Sequence, residues 1–218
     1  MEIAPGVHSL GQKQGGRVHA FLLDDGTGLT LIDTMYDADA RHVLEAIGGL
    51  GRTPADLKRI LLTHGHKSHL GGVATLKRLS GATVYAHEWE ADIVAGERKA
   101  QGVTLRPMRP LRPYLPVYPL QIVLALGLPP GDHPPCPVDR PLQDGERVGP
   151  VVVVEAPGHS PGHVAFWWPA FNLNPAQQRV SLGRMAELDA AIVAVGHGEP
   201  ITENAAAAVG KLATSAGR

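Results

Sequence analysis

Short apolar runs punctuated by glycine and polar residues organise the first third of the chain. Residues 19–23 and 29–32 flank Asp24-Asp-Gly-Thr-Gly28, which predicts a β-hairpin closed by a glycine-containing loop. Residues 39–47 place Val43, Leu44 and Ile47 on one face and predict a helix ended by Gly48-Gly49. Ile60-Leu-Leu-Thr63 reads as a short buried strand that runs directly into His64-Gly-His-Lys-Ser-His69. A helix over 70–79 and a strand over 83–86 follow. Farther on, Val151-Val-Val-Val-Glu155 predicts a strand, Ala156-Pro-Gly-His-Ser-Pro-Gly-His163 a turn, and residues 164–168 a second strand. Pro175 suits the first position of a helix carrying Val180, Met185 and Leu188 on its apolar side. Residues 191–195 predict a last strand entering Gly196-His-Gly-Glu-Pro200, before an alanine-rich C-terminal helix.

Between 102 and 141 this pattern is lost. Prolines recur at 107, 110, 113, 116, 119, 129, 130, 134, 135 and 137 around one apolar segment, 120–128. Proline lacks an amide donor and fixes φ, so most of this stretch is excluded from regular sheet or helix. It reads either as a surface connection or as a lid or substrate-binding insertion within a single domain spanning 1–218.

Composition narrows the class. The 218 residues are 44% hydrophobic and 19% charged, which suits one globular core rather than disorder. The net charge of −1 offers no electrostatic footprint for nucleic acid or an anionic membrane. The first ten residues do not read as a signal peptide, and no apolar run reaches the ~18 residues of a spanning helix. With Cys136 as the only cysteine, no intramolecular disulfide can form, and the cytoplasm is the expected compartment. Eleven histidines against three phenylalanines is the unusual ratio, and it directs attention to metal binding.

Three times an apolar strand ends in a turn of glycine and histidine: at His64/His66/His69, at His159 and at His197. Imidazoles on loops at neighbouring strand ends can converge. Isolated histidines, namely His8, His19, His42, His87 and His133, are expected to be satisfied structural or surface residues instead. Three within six positions are costly unless they bind something, and neutral imidazoles suit Zn²⁺, Fe²⁺ or Ni²⁺.

Thr63-His-Gly-His-Lys-Ser-His69-Leu-Gly-Gly72 resembles the T-H-x-H-x-D-H-x-G-G signature of the metallo-β-lactamase superfamily. Leu31-Ile-Asp-Thr34 is similar to its L-I-D-T segment, Ala156-Pro-Gly-His159-Ser-Pro-Gly-His163 to its P-G-H-(S/T)-x-G segment, and Gly196-His197-Gly to its terminal G-H-G. The four segments occur in the family's order. The resemblance implies a four-layer αβ/βα sandwich with the metals at one edge between two sheets. Carried over by position, it assigns His64, His66 and His159 to the first metal site and His69 and His197 to the second, with His163 structural. Asp33 becomes a candidate to support a metal-bound histidine, or else a cap for the turn after its strand.

Two departures qualify the resemblance. Ser68 stands where the family carries an aspartate ligand, and no Gly-Asp pair lies between His159 and His197 to supply the aspartate that bridges both metals. Asp189, the one aspartate in that interval, falls on a predicted helix. The C-terminal half therefore reads as shortened by about one strand and its loop, and oligomerisation across the exposed edge is one remedy. Two divalent ions with five neutral histidines and one hydroxide would leave the site at a net charge of about +3, which repulsion disfavours. The implied activity is a hydrolase with one zinc per chain, iron or nickel being alternatives, that uses zinc-activated water on a small-molecule ester, thioester, lactone or amide-type substrate. The competing reading is a degenerate or engineered scaffold that binds at most one metal.

Overall fold

The computed structural model of the chain describes residues 1–12, 18–99, 133–157, 159–168 and 204–207. Its N-terminal part begins with β1 (Glu2–Ala4) and β2 (Val7–Gln12), which lead antiparallel into β3 (Val18–Asp24). The predicted hairpin joins β3 to β4 (Leu29–Ile32). Its loop is set by aspartate side chains: Asp24 accepts from Gly26 N–H, and Asp25 accepts from the amide and hydroxyl of Thr27.

From β4 onward the sheet becomes parallel. Helix α1 (Arg41–Gly49) crosses over to β5 (Leu57–Leu61); α2 (Lys67–Leu70) and α3 (Val73–Ser80) cross to β6 (Thr83–His87). Helix α4 (Glu88–Val94) follows β6, and β7 (Arg140–Leu142) brings the first sheet to seven strands among the described residues, in the order β1 to β7. Among the described residues, β8 (Arg147–Val148), β9 (Val151–Glu155) and β10 (Val164–Trp167) form a second, antiparallel sheet. Parallel strands end on the same side, so whatever follows β4, β5 and β6 is delivered to one end of the first sheet.

Period-two alternation assigns each side chain to a layer. In β3, Val18, Ala20 and Leu22 join the core beneath the helices with Val43, Ile47, Leu70, Val73 and Leu76, while Phe21 and Leu23 face the second sheet. The same switch separates Ile60 from Leu61 and Val84 from Tyr85. Across the gap, Val151, Val153 and Val164 meet Phe21, Leu61 and Tyr85. Each such aliphatic side chain contributes about 1.5–3 kcal/mol on full burial, so these alternating positions set the spacing of the two sheets. The outer face of the second sheet carries a further apolar cluster of Val152, Val154 and Trp167. The predicted helix from 175, the strand over 191–195, His197 and the inferred missing strand lie outside the described residues.

Several elements differ from expectation. The strand expected at 60–63 starts at Leu57, after a 3-10 turn at Pro54–Asp56, because Lys58 and Arg59 mask its beginning with polar residues. The helix expected over 70–79 is broken at Gly71-Gly72 into α2 and α3, where Gly71 N–H donates to Met35 O at 2.8 Å. The end of the proline-rich stretch belongs to the core. Cys136 is buried and its amide donates to Val94 O, and residues 140 and 141 open β7, where proline is tolerated at the margin of a sheet. Residues 100–132 lie outside the described residues. No helix among the described residues is long and apolar enough to cross a membrane.

Candidate metal centre

The loop after β5 and the turn between β9 and β10 meet at one end of the two sheets. They are joined by a backbone hydrogen bond from Val164 N–H to Thr63 O at 3.0 Å. This contact brings His159 to the 63–69 segment across 93 residues of chain: His66 Nδ1 and His159 Nε2 lie 3.0 Å apart. One nitrogen from each of His64, His66 and His159 falls within 4.8 Å of the others. His64 is buried at the floor, His66 is half-buried and His159 is exposed at the rim, so the cluster opens to solvent on one side.

His64 sits in a defined chain of hydrogen bonds. The Asp33 carboxylate, 2% exposed, accepts from Thr63 N–H at 2.9 Å and from the Thr63 hydroxyl at 2.8 and 3.1 Å. A carboxylate only accepts, so the single hydroxyl proton points to Asp33, and the oxygen's lone pair is left for His64 Nδ1, 2.9 Å away. That arrangement puts the His64 proton on Nδ1 and leaves Nε2 as an acceptor. His64 Nε2 is buried and has no hydrogen-bond partner. Burial, followed by the neighbouring imidazoles of His69, His66, His159 and His163, holds His64 far below the ordinary imidazole range. It is therefore neutral at physiological pH, the form that ligates metal.

The residues present fit a metal ion. An orphaned lone pair on a buried imidazole has a cost that a cation would remove. Two nitrogens bound to one tetrahedral zinc at 2.0–2.1 Å stand about 3.3 Å apart, close to the His66–His159 separation. All three donors are imidazoles, a set suited to zinc.

Asp33 contacts both the turn that follows β5 and a histidine of the cluster's surroundings. It occupies a left-handed backbone position (φ 59°) just after β4, and its carboxylate supports two histidine-bearing positions at once. Besides Thr63, Asp33 Oδ2 lies 2.8 Å from His69 Nδ1. The His69 ring is 4.3 Å from that of His64, beside the cluster but not part of the three-nitrogen convergence. Ser68 is buried on α2, at 8% exposure. His163 stands in the same group of rings, 5.1 Å from His64 and 5.8 Å from His159, with Nδ1 buried and unpartnered. Burial, followed by the charge of His159, pushes its pKa down as well. Four of the five isolated histidines have structural partners: His19 with Ser9, His42 with Asp37, His87 as the N-cap of α4 and His133 against Val94 O.

One residue of the site escaped the sequence reading. Glu90, 1% exposed, projects from α4 between the two histidine loops. Its Oε2 accepts from Gly65 N–H at 2.9 Å, and its Oε1 accepts from the Ser160 hydroxyl at 2.7 Å and Gly162 N–H at 3.1 Å. The available signal was a carboxylate in line with Ile93 and Val94, at i+3 and i+4 on the buried face of the helix.

The superfamily profile described as "Metallo-beta-lactamase superfamily" matches residues 14–173. This chain belongs to the metallo-β-lactamase superfamily. It is 26% identical over 151 residues to the "Probable metallo-hydrolase YybB" of Bacillus subtilis, an alignment covering 69% of this chain and 56% of that one. A stretch of 79 residues, 35% of this chain and 29% of the relative, is 32% identical to the "Exodeoxyribonuclease WalJ" of Streptococcus pneumoniae. Among solved structures, a metallo-β-lactamase of Cronobacter sakazakii superposes with a TM-score of 0.56 at 30% identity, covering 76% of this chain and 58% of the other. The chain thus spans little more than half the length of YybB and of this β-lactamase. The mixed α/β architecture, with histidine-bearing loops at one end of paired sheets, is that of the superfamily.

Proposed function

We propose that this chain is a metal-dependent hydrolase with one zinc ion held by His64, His66 and His159, acting on a small-molecule ester, thioester, lactone or amide-type substrate. The observation that carries the reading is the buried, unpartnered Nε2 of His64 beside the paired nitrogens of His66 and His159. A zinc ion in such a set supplies a Lewis acid that polarises a carbonyl and makes water nucleophilic near neutral pH. The chain's residues do the rest. Thr63 and Asp33 fix the His64 tautomer and keep its lone pair pointed at the site, and Asp33 places negative charge one step behind the imidazoles. His159 is the exposed member of the three, so in this reading a substrate would approach from its side.

A single ion is preferred because Ser68 stands where the family's second site has an aspartate, and a neutral hydroxyl does not replace that charge. His69, with Asp33 behind it, and His197 would be the histidine ligands of a second site. The net charge of −1 supports a small substrate over nucleic acid, although one relative is named an exodeoxyribonuclease.

Metal content per chain tests the proposal, measured by plasma mass spectrometry on protein purified without chelators. About one zinc per chain, lost in His64→Ala and His159→Ala, is the expected result, followed by hydrolysis of at least one member of a panel of esters, thioesters, lactones and β-lactams. Two metals per chain would refute the single-ion assignment. No metal after zinc is added back would refute the hydrolase and leave the scaffold reading.

A further inference from the structure

We infer that Glu90 is a positioning residue for the metal centre: it clamps the His64–His66 turn to the His159 loop and provides the second of two negative charges behind the imidazoles. The inference rests on the metal reading above and adds to it a residue outside every histidine motif.

The geometry is that of a two-sided brace. One carboxylate oxygen holds Gly65, the residue between two of the three imidazoles; the other holds Ser160, next to the third, and Gly162. These groups lie 70 or more residues apart from Glu90 on one side and 25 on the other, so nothing local in the chain enforces the meeting. All three partners donate, a pattern that the acceptor-only carboxylate satisfies fully and a carboxamide does not.

Both glycines are shaped around this side chain. A Cβ on Gly65 would come within 2.9 Å of Glu90 Oε2 and 2.7 Å of Ile93 Cγ2, and a Cβ on Gly162 within 2.9 Å of Glu90 Cγ and Oε1. The glycines of the two histidine motifs thus leave room for the carboxylate as well as allowing the chain to turn. Trp89, Ile93 and Ser160 line the same place and Glu90 is almost fully buried, so its charge is shielded from water.

Charge gives the brace a second role. Three neutral imidazoles leave the +2 of a divalent ion uncompensated. Asp33, behind His64 and His69, and Glu90, behind Gly65 and Ser160, together supply −2 without occupying a ligand position. This is a way for a site with Ser68 in place of an aspartate to retain a cation.

Zinc and cobalt titrations of the full-length chain, wild type against Glu90→Gln and Ser160→Ala, test the inference. Gln cannot accept on both sides and carries no charge, so the zinc dissociation constant is expected to rise roughly 10- to 100-fold, with an altered visible spectrum of the cobalt form. Ser160→Ala removes one of three bonds and is expected to weaken zinc several-fold, with the metal-free protein still folded but melting somewhat below wild type because a buried charge-assisted bond is lost. A Glu90→Gln protein that melts lower without metal, yet binds zinc as tightly as wild type with an unchanged cobalt spectrum, would show a purely structural role and overturn the inference. If Glu90→Gln does not fold, unchanged affinity in Ser160→Ala overturns it. A wild-type chain that binds no zinc defeats the metal reading itself, an outcome distinct from a wild type that binds and variants that bind equally well.

Discussion

Replacing Thr63 with valine isolates the part of the site that sets a proton's location. Valine has the same branched shape and keeps the backbone N–H that donates to Asp33 at 2.9 Å, so only the hydroxyl is lost. The hydroxyl makes a charge-assisted bond to Asp33, a class contributing about 1.5–3 kcal/mol, and its loss strands His64 Nδ1, a buried donor whose desolvation costs about 1–3 kcal/mol. These losses share one oxygen and are not additive, and the added methyl returns about 0.8 kcal/mol of apolar burial. A net destabilisation of about 2–3 kcal/mol is expected. For a chain of this length that corresponds to a fall of roughly 5–10 °C in Tm by scanning calorimetry of the metal-free protein. Freed from the hydroxyl, the His64 ring also loses its preferred tautomer, and zinc affinity is expected to drop about 10-fold or more. The two readouts separate the arguments. A lower Tm with unchanged zinc affinity would refute the claim that Thr63 orients His64, and no change in either would refute the whole hydrogen-bond chain.

Two further predictions concern the scaffold. At Asp139, burial by itself would raise the pKa, but the Lys77 hydrogen bond at 2.6 Å, the Val84 N–H and the Lys77 charge together hold it below the ordinary value. The stabilisation is therefore present above about pH 4 and lost as pH falls through the depressed folded-state pKa. The half-exposed pair contributes under about 1 kcal/mol, and urea melts of wild type and Asp139→Asn should differ at pH 7 and converge near pH 2. Burial pushes the Cys136 thiol up and leaves it 2% exposed, so its reaction with an aromatic disulfide reagent should be roughly 100-fold slower in the native protein than in denaturant. A rate near that of the unfolded chain would contradict its placement in the core.

How much of this was legible in sequence differs by element. The runs at 29–32 and 151–155, apolar except for Thr30 and Glu155, return as β4 and β9 with the expected bounds. The histidine motifs were visible because three imidazoles at the end of an apolar strand have few other uses. What stayed hidden depends on long-range pairing. Residues 2–4 form β1 only because β2 lies beside them, and Arg140-Pro-Leu142 becomes a strand only because β6 is there to receive it. Glu90 belongs to the same class. A glutamate on a helix usually faces water, and only the arrival of Ser160 and Gly162 explains its burial. Asp33 was singled out by its neighbours in the motif, but its contacts with Thr63 and His69, some 30 residues or more along the chain, were not legible there.

The 93 residues that separate His66 from His159 make an ion at this site a removable crosslink as well as a reagent. Closing a loop of that length costs an open chain about 4 kcal/mol of entropy on the logarithmic law, which a metal bridging the two loops would offset in the manner of a disulfide. Chelation should therefore loosen the β8–β10 sheet before the first sheet, with the Val164 amide, at the seam between them, among the first protected amides to exchange.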